Sequence, residues 1–183
     1  MHHQYVVTDH CIMLQSGRRF DLANPDASEI EVEDIAHGLA HTCRYAGQCD
    51  GFFSVAEHSV LVSRVVVCSK MAALFHDAAE AFIGDMSGPL KQLLPQYKLI
   101  ETKIERAIFQ HLGIDWPPPP EVKRADYSVM AAEQLVLMPA GTNEWLRHAN
   151  VMPANVEIRQ LDPAKAKVFF LERYAELMSD ERC

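Results

Sequence analysis

No apolar run in this chain approaches the ~20 residues needed to cross a bilayer, and its first residues carry no basic segment followed by an apolar one. Neither a membrane span nor a secretory leader is expected. Cysteine is scarce and poorly spaced for structural use. The five (Cys11, Cys43, Cys49, Cys68 and Cys183) are odd in number and include no CxxC pair, which argues against a disulfide framework or a zinc knuckle. A reduced, cytoplasmic location is the expectation. Positive charge is in deficit, with 17 lysines and arginines against 25 aspartates and glutamates and a net charge of −8. That field disfavours stable nucleic-acid binding, so any phosphate site must be a local pocket working against it. Internal repeats are absent, and the only low-complexity stretch is the proline run 117–120.

What remains is an ordinary globular composition, 183 residues with 49% apolar and 23% charged, which fits one domain with a core of its own. Residues 5–22 read as a short hairpin. Tyr5-Val6-Val7 and Cys11-Ile12-Met13-Leu14 precede the turn signal Gln15-Ser16-Gly17-Arg18, and Arg19-Phe20-Asp21-Leu22 follows. After loop 24–28, helical periodicity dominates, with helices expected at about 31–43, 55–68, 70–83, 86–94, 96–112, 121–139, 141–148 and 163–179. A glycine-closed loop at 44–51 interrupts the series. The fold class is mainly α: a helical bundle forming one domain over 1–183, with an N-terminal hairpin appendage (1–25), a helical core (31–139) and C-terminal helices (140–183).

Within that frame, three chargeable side chains stand among alanines and phenylalanines in Ala72-Ala73-Leu74-Phe75-His76-Asp77-Ala78-Ala79-Glu80-Ala81-Phe82. Read as one helix, this places His76, Asp77 and Glu80 on a shared face. Buried charges there need a partner or a metal. His58 aligns with Val55, Val62 and Val65 along an apolar stripe, a position where a lone histidine is more often a hydrogen-bonded core residue than a ligand. Asp126 aligns with Val122, Val129 and Met130, and by itself could equally cap a helix after the prolines. Together, His58, His76, Asp77 and Asp126 bring two imidazoles and two carboxylates to three core-facing stripes. That set suits one borderline or hard divalent cation with open positions for water and a substrate oxygen.

The order H…HD…D, with Ser54-Val55-Ala56-Glu57-His58-Ser59 and the run from His76-Asp77 through Gly88-Pro89-Leu90-Lys91, resembles the HD-domain metal-dependent phosphohydrolases. The similarity is greatest to the bacterial HD-domain 5′-deoxynucleotidases and their small phage and bacterial relatives, over about residues 35–135. The resemblance implies an HD-domain helical bundle with His58, His76, Asp77 and Asp126 as metal ligands. Glu80 and Asp85 match the two acidic residues that the nucleotidases place beside the reacting phosphate. Arg44 matches the arginine that holds the substrate phosphate. Tyr45 stands where the family typically has tryptophan, which bears on packing of the base or sugar. Lys91 fits the pattern either as added positive charge or as a structural residue. A homodimer is also suggested by the resemblance.

The implied activity is hydrolysis of (deoxy)nucleoside 5′-monophosphates to nucleoside and phosphate by metal-activated water. One divalent ion (manganese, cobalt, iron, magnesium or zinc) neutralises the ester, Arg44 holds its oxygens with a planar fork, and Glu80 or Asp85 handles the proton. The alternative is a deoxynucleoside triphosphate triphosphohydrolase, which needs more cationic contacts than Arg44 and Lys91 supply, with Arg18, Arg19, Lys123 and Arg124 as outlying candidates. A nonenzymatic metal- or nucleotide-binding module ranks last, because Glu80 and Asp85 are both present. The bland expectations are these. His37 and His41 lack further ligands. Bimetallic relatives in the superfamily this chain resembles carry extra histidines between the His-Asp pair and the final Asp, and only His111 lies there, so the resemblance implies one metal. Glu133 is either a partner of the ligands or helix surface, the run Glu101–Arg106 is a solvated face, and Trp116 and Trp145 pack.

Overall fold

Turn chemistry shapes the N-terminal end. Gly17 adopts φ +85°, a conformation that suits glycine, and lets the Leu14 N–H donate to the Arg18 carbonyl at 2.8 Å. Strands β1 (Cys11–Met13) and β2 (Arg19–Asp21) then pair antiparallel, Ile12 opposite Phe20. The computed structural model describes residues 10–142 and 149–180. The expected strand at Tyr5–Val7, Trp145 and most of the helix expected at 141–148 lie outside those residues.

Helices form most of the rest: α1 (Val32–His41), α2 (Val55–Val65), α3 (Lys70–Leu74), α4 (Glu80–Ile83), α5 (Gly88–Leu93), α6 (Pro95–His111), α7 (Pro120–Leu137) and α8 (Pro163–Ser179). The mainly helical class and the small hairpin are therefore both present. Helix α2 is the central element, buried from Val55 through Ser63, with α1, α3, α7 and α8 packed around it. Ser54 caps it by accepting from the Glu57 N–H. The Glu57 carboxylate accepts instead from the Arg159 and Leu161 N–H groups at 2.7 and 2.8 Å, which pins the extended segment before α8 onto α2. Phe170 of α8 is fully buried and meets Phe75 edge to face, so the C-terminal helix completes the core.

One expectation is corrected. Residues 70–83 are not a single helix: α3 stops at Leu74, and a run of turns at 75–79 separates it from α4. In an uninterrupted helix the Ala73 carbonyl would accept from the Asp77 N–H. Here it accepts from His76 Nδ1 at 2.7 Å, and the chain continues with i→i+3 bonds, Ala78 N–H to Phe75 O and Glu80 N–H to Asp77 O. The His-Asp pair therefore sits in a tight turn. Two contacts fix the short α4 behind it. Phe20 of the hairpin stacks on Phe82 with ring centroids 3.9 Å apart. Gly38 of α1 lies so close to Ala81 that a Cβ there would stand 2.5 Å from its carbonyl oxygen.

Candidate metal centre and cavity

His58 comes from the first turn of α2, His76 and Asp77 from the 75–79 turn, and Asp126 from the second turn of α7. One ligand atom each from His58, His76 and Asp126 lies within 4.8 Å of the others. His58 Nε2 stands 3.3 Å from His76 Nε2 and 3.3 Å from Asp126 Oδ1. Asp77 Oδ2 closes the group, 3.6 Å from His58 Nε2 and 3.3 Å from His76 Nε2.

The orientation of both rings is assigned by their other nitrogens. His76 Nδ1 donates to the Ala73 carbonyl, and His58 Nδ1 donates to Glu133 Oε1 at 2.5 Å. Each neutral imidazole then has only a lone pair at Nε2. Two such lone pairs facing one another beside two carboxylates form a donor set that fits a cation, and the outer hydrogen bonds are those that orient metal-binding histidines. Without a cation the carboxylates instead favour a proton on His58: burial and the Arg44 charge push its pKa down, but Glu133 and Asp126 outweigh them and raise it to about 9, so an ion would bind by displacing that proton. Burial pushes Asp77 and Asp126 up, yet the facing histidines hold both below the usual carboxylate range.

Glu133 is the hub behind the centre. It is fully buried on α7 and accepts from three donors: His58 Nδ1, Arg44 Nε at 3.1 Å and the Tyr45 hydroxyl at 2.7 Å. Burial alone would raise its pKa, but the Arg44 and His58 charges bring it down to about 2. Of the two readings the sequence left open, partner of a ligand is the observed one. The available signal was its spacing of two helical turns from Asp126, on the same face. Arg44 and Tyr45 reach it from a loop closed by the Cys43–Ser54 bridge. Tyr45 and Ala46 both take positive φ (57° and 52°), a conformation that non-glycine residues adopt at a cost of order 1 kcal/mol each.

A cavity of about 520 Å³ opens over the centre. His76, Asp77, Asp126, Glu80, Asp85, Arg44 and Lys91 all line it, so nearly every site residue expected from the sequence converges there. Two do not line it: His58, fully buried behind the other ligands, and Tyr45, which directs its hydroxyl to Glu133. Arg44 keeps Nη1 3.5 Å from Asp77 Oδ2 at the cavity wall. Lys91 bridges Glu80 Oε1 at 3.3 Å and Glu101 Oε1 at 2.6 Å, so its charge is already engaged by two carboxylates. Glu80 is buried, and burial together with Asp77 and Asp85 drives its pKa well up. Its second oxygen, Oε2, has no hydrogen-bond partner. Burial also raises Asp85.

The run Glu101–Arg106, expected as a solvated face, divides on α6: Thr102, Lys103 and Arg106 are exposed, whereas Glu101 and Glu105 turn to the cavity. Glu101 and Glu105 line the cavity with Lys98, one turn earlier. The charge pattern is that of a helix side facing water, and it does not distinguish bulk solvent from an open cavity. Burial, with the nearby Asp77, raises Glu105 to about 7. Lys98 was missed, and Lys123 was only an outlying candidate; Lys123 donates to Asp126 Oδ2 at 2.7 Å. His37 and His41 contact each other on α1 and do not line the cavity. Trp116 packs edge to face on Phe109. No helix among the described residues is long and apolar enough to cross a membrane.

No protein-family model matches the chain. It is similar to the uncharacterized protein YfdR of Escherichia coli (strain K12), 34% identical over 170 residues that span 92% of this chain and 96% of YfdR. An uncharacterized protein of Rhodobacter capsulatus is 40% identical over 121 residues, 60% of this chain and 62% of its own length.

Proposed function

The chain belongs to the YfdR family, and for the His–Asp centre at the base of its cavity we propose metal-dependent hydrolysis of nucleotide phosphate esters, with (deoxy)nucleoside 5′-monophosphates as the substrates. This reading makes the protein an HD-domain phosphohydrolase. The observation that carries it is the meeting of the two Nε2 atoms of His58 and His76 with Asp77 and Asp126, beneath a cavity whose wall holds Glu80 with an unpartnered oxygen.

His58, His76, Asp77 and Asp126 would hold one divalent cation. When bound, such an ion supplies charge neutralisation for the ester and lowers the pKa of a coordinated water. The remaining roles fall to the chain. Glu133 fixes the His58 ring and the Arg44 guanidinium at once, so the ligand and the phosphate-holding group keep one spacing. Arg44 meets nonbridging oxygens from the cavity wall. Burial, Asp77 and Asp85 push the Glu80 pKa well up, which favours its protonated form, and Lys91 contacts it through Oε1. The Glu80 carboxyl is the group suited to protonate the departing alcohol oxygen. Asp85 lines the same wall and shares that electrostatic environment.

Lys98 and Lys123 at the cavity wall favour a second reading, release of triphosphate from deoxynucleoside triphosphates, because they add the cations that a longer phosphate chain requires. A screen of nucleoside mono- and triphosphates with manganese, cobalt, iron, magnesium and zinc tests both, reading orthophosphate against triphosphate. Orthophosphate from monophosphates is the expected product. Release of neither from any nucleotide overturns the phosphohydrolase reading.

A further inference from the structure

One side of the cavity is built differently from the rest. Asp126 and Tyr127 lie three and four residues after Lys123, and Met130 lies four and three residues after them, so one side of α7 turns all four to the cavity. Tyr127 is 40% exposed although it is a large aromatic. Met130, Pro118 and Pro119 line the cavity beside it. The facing α6 wall carries Lys98, Glu101 and Glu105 instead. An apolar, partly aromatic strip thus stands directly next to a metal-ligand candidate, opposite a polar wall.

A single exposed tyrosine is unremarkable on a protein surface. This one lies inside a cavity of about 520 Å³, in the range of ligand-binding pockets and many times the ~30 Å³ share of one water. A phosphate group at the ligands leaves most of that volume to the rest of the ester. The Lys123 ammonium lies 4.5 Å from the Tyr127 ring centroid and 2.7 Å from Asp126 Oδ2, placing a cation between the ligand end and the aromatic end.

Resting on the phosphoester reading of the same site, we propose that Tyr127, with Met130 and the Pro118-Pro119 lip, is the platform for the planar base of a nucleotide. Tyr127 thereby makes the site selective for nucleotides over base-free sugar phosphates. The ring supplies a π-face and Met130 a polarisable edge, while the polar α6 wall meets the base edges and the sugar hydroxyls. Stacking on an aromatic tolerates any base, so the platform selects for the presence of a base ahead of its identity.

The test is calorimetric binding to the manganese-loaded full chain of two ligands, a purine deoxynucleoside 5′-monophosphate and 2-deoxyribose 5-phosphate. The expected result is tighter binding of the nucleotide by wild type and about tenfold weaker nucleotide binding by Tyr127→Ala, the scale of one lost stacking contact. Sugar phosphate affinity and manganese affinity stay within about twofold, and Tyr127→Phe retains selectivity because it keeps the π-face. Equal weakening of both ligands in Tyr127→Ala, or equal affinity of wild type for both, overturns the platform. Hydrolysis of the two at the same rate and KM would do so while leaving the phosphohydrolase reading intact. Failure of both ligands to bind wild type overturns the platform and the phosphoester reading together.

Discussion

His58 Nδ1 stands 2.5 Å from Glu133 Oε1, and this contact decides which nitrogen of the ring faces His76. Glu133→Gln keeps the shape but replaces a charged acceptor with a neutral one. Metal affinity is expected to fall 10- to 100-fold, the range for removal of such an outer partner. Glu133→Ala also strands the Arg44 guanidinium in a buried site, at about 3–5 kcal/mol of stability. Competition against a chelating dye measures the first, and denaturant unfolding the second. An unchanged metal Kd in Glu133→Gln would remove Glu133 from its orienting role.

Adding metal stabilises the fold in proportion to site occupancy. A ligand that binds only the folded state contributes ~2.7 kcal/mol at a hundredfold excess over its Kd. Manganese should therefore raise Tm and a chelator should reverse the rise. His58→Ala should abolish the response. A Tm rise of equal size in His58→Ala would place the ion elsewhere.

Glu80→Gln separates binding from turnover. The substitution keeps the size of a residue whose Oε1 accepts from Lys91 but removes its transferable proton. Phosphate release should drop by about 10²- to 10⁴-fold, the usual contribution of general acid–base catalysis, with metal affinity within about twofold of wild type. Wild-type turnover in Glu80→Gln would refute the proton-donor assignment.

Glu105 makes the metal-free protein sensitive to pH. Its folded pKa, raised to about 7 by burial first and Asp77 second, exceeds the ordinary glutamate value of ~4.3 in the unfolded chain. Between those values the folded state binds more protons than the unfolded one, so stability falls as pH rises from about 4.3 to about 7. The loss is on the order of 3–4 kcal/mol from this group alone. Glu105→Gln should flatten the unfolding free energy across that window. An identical slope in wild type and variant would show that Glu105 titrates normally.

Gly38→Ala tests how tightly α1 holds α4. Alanine ordinarily favours a helix interior by up to ~1 kcal/mol over glycine. Here the new methyl would meet the Ala81 carbonyl oxygen at 2.5 Å and its Cα at 2.8 Å, and backbone cannot swing aside as a flexible side chain can. The clash should win, with a net cost of about 1–3 kcal/mol and a disturbed Glu80, which opens α4. Equilibrium unfolding reads the cost; a stabilised variant would mean that α4 is free to shift.

Much of this centre was legible because burial leaves a mark on composition. His58 and Asp126 stand on valine stripes, and a chargeable residue repeated on such a stripe needs a partner in the core. The structure brings His58, His76 and Asp126 together as that pattern implies. Glu133 carried the same mark more faintly, since its face of α7 mixes polar and apolar neighbours. The break after Leu74 left none: alanine-rich sequence favours helix throughout, and the interruption comes from the His76 ring taking the Ala73 carbonyl. Tyr45 likewise gives no sign in sequence of a positive φ.

Residue type and spacing along the chain were enough to set the helical class, the hairpin and the candidate ligands, because periodicity and the cost of buried charge act locally. Which side of α6 faces bulk water and which faces the cavity was decided only in three dimensions. Glu101, Glu105 and Lys98 have the spacing of a solvated face, and a helix meets bulk and cavity water with the same polar pattern. The same holds for the use of Arg44, Tyr45 and Lys91. Their charges and hydroxyl are committed to Glu133, Glu80 and Glu101 by contacts between residues up to 89 positions apart, and no local pattern records such distances.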